Sequence, residues 1–402
     1  MKTAIAIVIS TLVGCGPSAT RAPAAIGSTP GAAQATTPTD GATDDDELDG
    51  RVITSLEEAL ASPRAVVHLK LEDQDLTALP PELGLMINLR TLDVDGNALT
   101  SLPPGLGALR LLEHLDLDDN QLTSLPPELG RLGALRTLDL DDNQLTALPD
   151  ELWQLTSLEE LDLTGNALAE VPGLGRLTRL TELGLAGNRL TSLPAGIGAL
   201  ALVTRLDLTG NQLTSLPADL GGMVGLEALI LEGNQLTALP ESIGDLGELD
   251  TLELDGNAIS ALPASIGRLT SLTKLDLESN QLAALPATIC ALTGLTYLDV
   301  SGSHITELPP CIGGLVELQY LALGGNRLTA LPASVGKLAA LENLGLEGNQ
   351  LRALPRQLRT LERLSALALD GNPLPAGERA ATDAWIAQRR AAVESAWAEY
   401  AD

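Results

Sequence analysis

The sequence predicts an α/β solenoid, a curved stack of short units whose strands form one parallel sheet on the concave face, with a helix at each end. An asparagine returns at steps of 23 residues, with one step of 22 and one position skipped. The pattern L-x-x-L-x-L precedes each Asn, and Leu-Pro follows most of them. Units of this size cannot bury their apolar face alone and must stack on their neighbours.

The repeating asparagine defines the units. Gln74 takes its place at the start and Ser303 at the skipped position, which gives about fourteen units between residues 64 and 376. The asparagines of the series are Asn97, Asn120, Asn143, Asn166, Asn188, Asn211, Asn234, Asn257, Asn280, Asn326, Asn349 and Asn372.

Each part of the unit has a physical role. The alternation in L-x-L has a period of two, so a short strand points its Leu side chains inward and the residues between them outward. The Asn carboxamide can bond backbone groups of its own turn and of the adjacent one. Because Pro lacks an N–H group, Leu-Pro ends the pairing, and the segment L/I-G-x-L returns the chain along the convex side.

The run from Leu135 to Pro149, LRTLDLDDNQLTALP, contains the whole first part of the unit. This pattern resembles the leucine-rich repeat family, in the 23-residue Leu-Pro form also seen in Ras-group intracellular scaffolds. The resemblance covers about three quarters of the chain. It implies a curved solenoid that holds other molecules on its surface.

The N-terminus resembles a bacterial lipoprotein signal. Met1-Lys2-Thr3 is a basic start, residues 4–13 form an apolar run too short to span a bilayer, and Leu12-Val13-Gly14-Cys15 follows. The resemblance implies that residues 1–14 are removed and that lipid is attached to Cys15, in a bacterial cell envelope. Gly16 is similar to the residue found in lipoproteins passed to an outer membrane. A plain secretory signal, or an untargeted cytoplasmic protein, is the alternative.

Three further segments complete the predicted organisation. Residues 15–50 carry the lipidated Cys and a linker rich in Ala, Pro, Thr and Asp, whose composition cannot form a core. Residues 51–63 are predicted to form an N-terminal capping helix, because Ser55 and Glu58 make a capping box. Residues 377–402 are predicted to form a C-terminal one, whose apolar face either covers the last unit or binds a partner. That face carries Ile386, Val393, Trp397 and Tyr400.

The chain is strongly acidic, with 24 basic and 53 acidic residues and a net charge of -29. This charge disfavours nucleic acids and suits either a basic partner or simple solubility. Carboxylates crowd the outward positions of the first five units: Glu72, Asp93, Asp95, Asp116, Asp118, Asp119, Asp139, Asp141, Asp142 and Asp162. Later, Tyr297 and Tyr320 occupy the same outward position in adjacent units, beside Ala and Gly residues. Asp is frequent at this position in the family, and the tyrosines are also compatible with ordinary strand residues. The candidate partner-binding residues are Asp93, Asp95, Asp116, Asp118, Asp139, Asp141, Asp162, Tyr297 and Tyr320.

Two irregular units indicate local compensation. One residue is missing after Pro172, and Trp153 replaces the usual Gly one unit earlier, so we expect Trp153 to fill the space left by the shorter loop.

Ser303 breaks the Asn series between Cys290 and Cys311. These cysteines lie on adjacent convex segments two positions out of register, at a separation near the limit for a disulfide. The bond or two free thiols are both compatible with the sequence.

Nothing in the sequence indicates catalysis, a cofactor or a metal site. His68 and His114 lie two units apart, and His304 lacks a third group that would orient a Cys-His pair. The glycines are explained by the repeat or the linker rather than by a phosphate-binding loop. The sequence therefore predicts a non-enzymatic, monomeric lipoprotein that binds a protein or peptide on its concave face. The alternatives are an adhesive envelope component that binds cations or basic polymer, and a cytoplasmic signalling scaffold.

Overall fold

Fifteen parallel strands form one sheet in a computed structural model, which describes the backbone of residues 50–400 and the side chains of residues 50–391. The strands follow one another in chain order and each pairs with the next. They are β1 Val52–Ile53, β2 His68–Lys70, β3 Thr91–Asp93, β4 His114–Asp116, β5 Thr137–Asp139, β6 Glu160–Asp162, β7 Glu182–Gly184, β8 Arg205–Asp207, β9 Ala228–Ile230, β10 Thr251–Glu253, β11 Lys274–Asp276, β12 Tyr297–Asp299, β13 Tyr320–Ala322, β14 Asn343–Gly345 and β15 Ala366–Ala368.

The predicted fold class, an open and curved parallel-sheet solenoid with a helix at each end, is confirmed. Strands β2 to β15 correspond to the fourteen sequence units, and their central leucines are in register, as Leu92, Leu115 and Leu138 show. These leucines are buried, at most 1% exposed. Strand β1 is an addition to the prediction, which assigned residues 51–63 to a helix. Val52 and Ile53 instead extend the sheet by pairing with His68 and Leu69.

Short 3₁₀ helices form the convex side of the solenoid. In most units the Pro of Leu-Pro lies just before or at the start of this helix, where its fixed φ is compatible and its missing N–H costs nothing. The 3₁₀ helices span Pro63–Ala65, Pro81–Leu85, Pro104–Ala108, Pro127–Arg131, Asp150–Gln154, Leu174–Arg176, Ile197–Ala199, Leu220–Gly222, Glu241–Asp245, Ala264–Arg268, Ala287–Ala291, Ile312–Gly314, Ala333–Lys337 and Arg356–Thr360.

The Asn series forms a buried hydrogen-bond ladder that joins consecutive units. Asn234 accepts the Leu213 N–H at 3.0 Å and donates to the Leu208 carbonyl at 2.9 Å, both in the preceding unit. It also donates to two carbonyls of its own turn. Ser303 keeps only the acceptor role, receiving the Leu282 N–H at 3.4 Å. One rung of the ladder is therefore weakened, between the units of β11 and β12.

Close packing between units explains why Gly recurs on the convex side. In ten units the Gly of L/I-G-x-L approaches the next unit so closely that an added Cβ would overlap a backbone carbonyl oxygen. Each such Gly has an equivalent residue in the next unit, and the carbonyl belongs to the residue two positions before that equivalent. Gly267 and Thr288 are one such pair, since the equivalent of Gly267 is Cys290. We call this pair of positions the convex contact.

Three units lack this Gly, and each has a different partner at the convex contact. Trp153, 2% exposed, packs on Gly173, as expected from the shortened loop. Cys290 is joined to Cys311. Arg359, in the unit of β14, lies 5.4 Å from the ring centroid of Trp385 in the C-terminal helix.

Both ends of the described solenoid carry a helix. Helix α1, Leu56–Ala61, begins at Ser55, whose hydroxyl accepts the Glu58 N–H at 3.4 Å, and it buries Ala59. Helix α2, Ala376–Tyr400, buries Thr382 and Ile386. The side chains of Val393, Trp397 and Tyr400 lie outside the described residues. Neither helix within residues 50–400 combines the length and the hydropathy that a bilayer span requires.

Candidate binding surface

The outward side chains of the concave face form three columns, one residue of each unit in each column. The first-column residue precedes the central strand Leu and the second-column residue follows it. The third-column residue lies two positions after the second-column residue. The first column includes His68, Thr91, His114, Thr137, Glu160, Glu182, Arg205, Lys274, Tyr297, Tyr320, Asn343 and Ala366. The second includes Lys70, Asp93, Asp116, Asp139, Asp162, Gly184, Asp207, Glu253, Asp276, Asp299, Ala322, Gly345 and Ala368. The third includes Glu72, Asp95, Asp118, Asp141, Thr164, Ala186, Glu278, Gly324 and Glu347.

Four second-column aspartates, Asp93, Asp116, Asp139 and Asp162, lie in register on adjacent strands. Burial, together with the neighbouring carboxylates Asp116 and Asp162, raises the pKa of Asp139 to about 6. Burial likewise raises the pKa of Asp95 to about 6, with Asp93 as the next cause. This half of the face is therefore a surface of mutually repelling carboxylates.

The Asp that recurs in the second column also has a structural role, which explains why it is so frequent there. Its carboxylate accepts the backbone N–H two residues later, at 3.0 Å from Asp141 N to Asp139 and at 2.8 Å from Thr164 N to Asp162. This bond closes the turn that leaves the strand. Asp93 is only 8% exposed and is therefore poorly placed to touch a partner.

Two carboxylates assigned to the outward strand positions are not there. Asp119 and Asp142 lie in the turn before the ladder Asn, with φ of 46° and 45°. Most other units have Gly at this position, because the left-handed region disfavours side chains. Asp tolerates the region better than most residues, which explains the substitution.

At the N-terminal end, three carboxylates surround a lysine. The carboxylate oxygens of Glu72, Asp93 and Asp95 lie within 4.8 Å of one another, close enough to hold a cation. The Lys70 ammonium is 2.8 Å from Asp93 and 2.5 Å from Glu72, and these contacts raise its pKa. The internal lysine thus pairs with two of these carboxylates and offsets part of the negative charge of the cluster.

A depression of about 540 Å³ lies at the middle of the concave face, where Gly184 replaces the usual second-column Asp. The Asp162 carboxylate lies across Gly184, and Glu182 and Arg205 line the sides. The sequence prediction did not include this depression. Its signal was the Gly184 substitution in the unit that follows the shortened one.

Tyr297 and Tyr320 stack face to face, with ring centroids 4.6 Å apart and planes inclined by 2°. The register of β12 and β13 places them side by side. The Tyr297 hydroxyl lies 3.4 Å from Asp276, to which it donates. Burial and nearby carboxylates raise the pKa of both phenols, so both stay neutral at physiological pH.

The two ends of this stack differ. At the Tyr297 end, the Lys274 ammonium lies 5.4 Å from the ring centroid and 2.6 Å from Glu253. At the other end Tyr320 is 37% exposed. The neighbouring second- and third-column residues there are small, namely Ala322, Gly324, Gly345 and Ala368. The Glu347 carboxylate lies across Gly324 and Gly345.

The remaining candidate residues are dispersed. The disulfide between Cys290 and Cys311 has a Cα–Cα distance of 5.9 Å, which is ordinary rather than near the limit, because the convex contact brings these offset positions together. His68 and His114 each bond the Thr of the next strand, at 3.0 and 3.1 Å. Cys15, with the rest of residues 1–49, lies outside the described residues.

Comparison with known proteins supports the assignment of the repeat. The family model for the leucine-rich repeat matches residues 110–168, 178–236, 271–328 and 316–374, and a two-copy model of the same repeat matches residues 87–130. The matches cover more than half of the chain. No curated protein sequence matches the chain.

Solved structures are similar over most of the solenoid. A leucine-rich repeat protein of Leptospira interrogans is 34% identical, with a TM-score of 0.63, and the match covers 84% of this chain and 98% of that one. The plant peptide hormone receptor RGFR1, in complex with RGF2, is 29% identical with a TM-score of 0.64, covering 77% of this chain and 56% of the receptor.

The effector YopM of Yersinia pestis is also 29% identical, with a TM-score of 0.56, covering 79% of this chain and 80% of that one. The repeated unit, the single parallel sheet and these matches agree over the same residues. The chain belongs to the leucine-rich repeat family, whose fold is commonly used for protein binding.

Proposed function

We propose that this protein is a non-enzymatic binding protein that holds a protein or peptide partner on its concave face. The family fold supports this role, and the receptor RGFR1 was solved in complex with RGF2. The stack of Tyr297 and Tyr320 carries the proposal, because exposed aromatic rings beside small residues form contact surfaces that dominate binding energy. The 23-residue Leu-Pro form of the repeat, which the sequence indicates, would make it similar to intracellular scaffolds of the same form.

Rigidity supports binding at this stack. The strands below the rings are held by the sheet and by buried leucines, and the disulfide joins the unit of β12 to its neighbour. A preformed surface avoids part of the ordering cost of association. The carboxylate columns of the N-terminal half would then attract a basic partner and speed its encounter.

A selection from a random peptide library tests the proposal and does not require an identified partner. The wild-type solenoid is compared with the Tyr297→Ala/Tyr320→Ala double variant, and with Leu202→Ala, which alters an exposed apolar residue of the convex return segment. We expect selected peptides to bind the wild type and the Leu202→Ala variant and to lose at least about tenfold in affinity for the double variant. Failure to select any peptide, or selection of peptides that ignore the tyrosines, would contradict the proposal.

A second candidate is an adhesive role in which the carboxylate columns bind cations or basic polymer. The in-register Asp116, Asp139 and Asp162 favour it, because such a column concentrates counter-ions. Salt separates the two candidates, since a ligand held by carboxylates is released at high ionic strength and one held by the tyrosines is retained.

We also propose that the protein is a monomer anchored by lipid at Cys15 in a bacterial envelope, on an outer membrane if the cell has two. The support is the sequence alone, namely the basic start, the short apolar run and the Cys that follows it. The alternative, a cytoplasmic signalling scaffold, would leave Cys15 unmodified.

A further inference from the structure

We infer that the open face of Tyr320 binds an arginine side chain of the partner, with the guanidinium stacked on the ring and paired with the Glu347 carboxylate. This inference rests on the proposed function and names the chemistry that the concave face recognises. It comes from the difference between the two ends of the tyrosine stack.

At the Tyr297 end the structure contains a complete cation site. Lys274, one strand away in the first column, places its ammonium over the ring at 5.4 Å from the centroid. Glu253 pairs with that ammonium at 2.6 Å. The ring thus contributes a π face and the carboxylate a counter-charge to the same cation.

At the Tyr320 end the same parts are present except the cation. The first-column residue one strand away is Asn343, which pairs with Tyr320 across β13 and β14 and is too short to cover the whole ring. The Glu347 carboxylate lies over the neighbouring Gly345, with one oxygen 3.3 Å from where a Cβ of Gly345 would be, and its charge acts on the Tyr320 phenol. Among the side chains of residues 50–391, none that is basic forms an ion pair with Glu347.

The local charge also favours a cation. Asp299, Glu347 and Asp276 all act on the Tyr320 phenol with negative charge. Asp299 is buried and already accepts two hydrogen bonds from Ser301, whereas Glu347 is exposed and available. Arginine fits better than lysine, because its planar guanidinium stacks on an aromatic ring and bonds a carboxylate with two N–H groups.

The chain has three tyrosines, so ring signals from ¹³C-labelled tyrosine can report the site directly. The probe is acetyl-arginine amide, and acetyl-citrulline amide, which has the same shape without the charge, is its control. We expect arginine to shift the Tyr320 ring signals saturably and more than those of Tyr297, with Tyr400 as a reference. Citrulline should not do so. Equal responses to both probes, or a Tyr320 response no larger than that of Tyr400, would overturn the inference.

Two variants sharpen the test. Glu347→Gln should lower the affinity for the arginine probe by about tenfold, because it removes the counter-charge. Asn343→Lys should abolish binding, because it places an internal cation beside Tyr320 as Lys274 is placed beside Tyr297, while the backbone pairing of β13 and β14 is kept. Arginine affinity unchanged in both variants would overturn the inference. If the library selection yields tyrosine-dependent peptides that lack arginine, this inference fails while the proposed function stands.

Discussion

Trp153 packs directly against Gly173, and the two residues have exchanged the roles that their positions have in the neighbouring units. In ten other units the earlier position of the convex contact is Gly, and in most of these the later position carries a side chain. Here Trp153 occupies the earlier position and Gly173 the later one, so one of the two positions still has no side chain. The adjacent loss of one residue after Pro172 accompanies this exchange.

Gly173→Ala should destabilise the protein by roughly 1–3 kcal/mol, because its Cβ would overlap the indole of Trp153. Urea unfolding measures this change. Gly247→Ala is the matched control, since a Cβ there meets nothing within 4 Å. In a Trp153→Gly background the cost of Gly173→Ala should vanish, and a cost that persists would show that the indole is not its cause.

Asn234→Ala should lower the free energy of unfolding by roughly 2–4 kcal/mol, because it leaves one buried N–H donor and several carbonyl acceptors without their partner. Ser303→Asn should have the opposite effect, about 1 kcal/mol of stabilisation, since the carboxamide adds the donor bonds that Ser303 lacks. Chemical denaturation of both variants tests the ladder. A neutral effect of Asn234→Ala would show that water replaces the carboxamide.

The disulfide joins the two units whose turns hold Asn280 and Ser303, which are the same two units between which the ladder rung is weakened. Reduction should lower stability by about 3 kcal/mol, as expected from loop entropy over a sequence separation of 21. The control is the double variant Cys290→Gly/Cys311→Thr, which copies the Gly267 and Thr288 contact one unit earlier. We expect its unfolding midpoint to be insensitive to reductant. A wild-type midpoint that reductant leaves unchanged would contradict this role.

The carboxylate column should make the fold less stable as pH rises. The folded-state pKa of Asp139 is about 6 and its ordinary value is 3.8, so the folded protein holds this proton more tightly. Stability therefore falls as pH rises between these two values. Asp139→Asn keeps the acceptor for the Asp141 N–H and should stabilise the protein at pH ~7 but not at pH ~4.

Thermal unfolding across this pH range measures the change in stability. Asp150→Asn, which lies outside the columns, is the control. Stability that rises between pH ~4 and ~6 in the wild type and not in Asp139→Asn would refute the effect.

Labelled palmitate should be incorporated into the wild-type protein and not into Cys15→Ala, if Cys15 is the acceptor that the N-terminal sequence indicates. The measurement requires expression in a bacterium with its own lipoprotein pathway. Absence of label in the wild type would favour the cytoplasmic alternative, and label in both forms would place the lipid elsewhere.

The repeat made most of the fold predictable. Leucine spacing and the recurrent Asn specify which side chains face inward. The period of two sets the inward and outward residues of each strand, and the Asn marks the sharp turn that ends it. Strand β1 could not be read from the sequence, because Val52 and Ile53 pair only through the edge that β2 presents. The candidate site was predictable only in part. Tyr297 and Tyr320 were recognised by position, whereas Lys274 and Glu347 carry no signal of their own in the sequence.

By itself, the sequence determined the class of fold, the number of repeating units and the acidic character of the outward face. Only the tertiary structure decided how individual side chains meet between units. It paired Cys290 with Cys311 across an offset of two positions, packed Trp153 against Gly173, and placed Lys274 over one end of the tyrosine stack while leaving the other end open. The physical reason is that repeat spacing specifies contacts within a unit, whereas the curvature and close approach of adjacent units specify contacts between them.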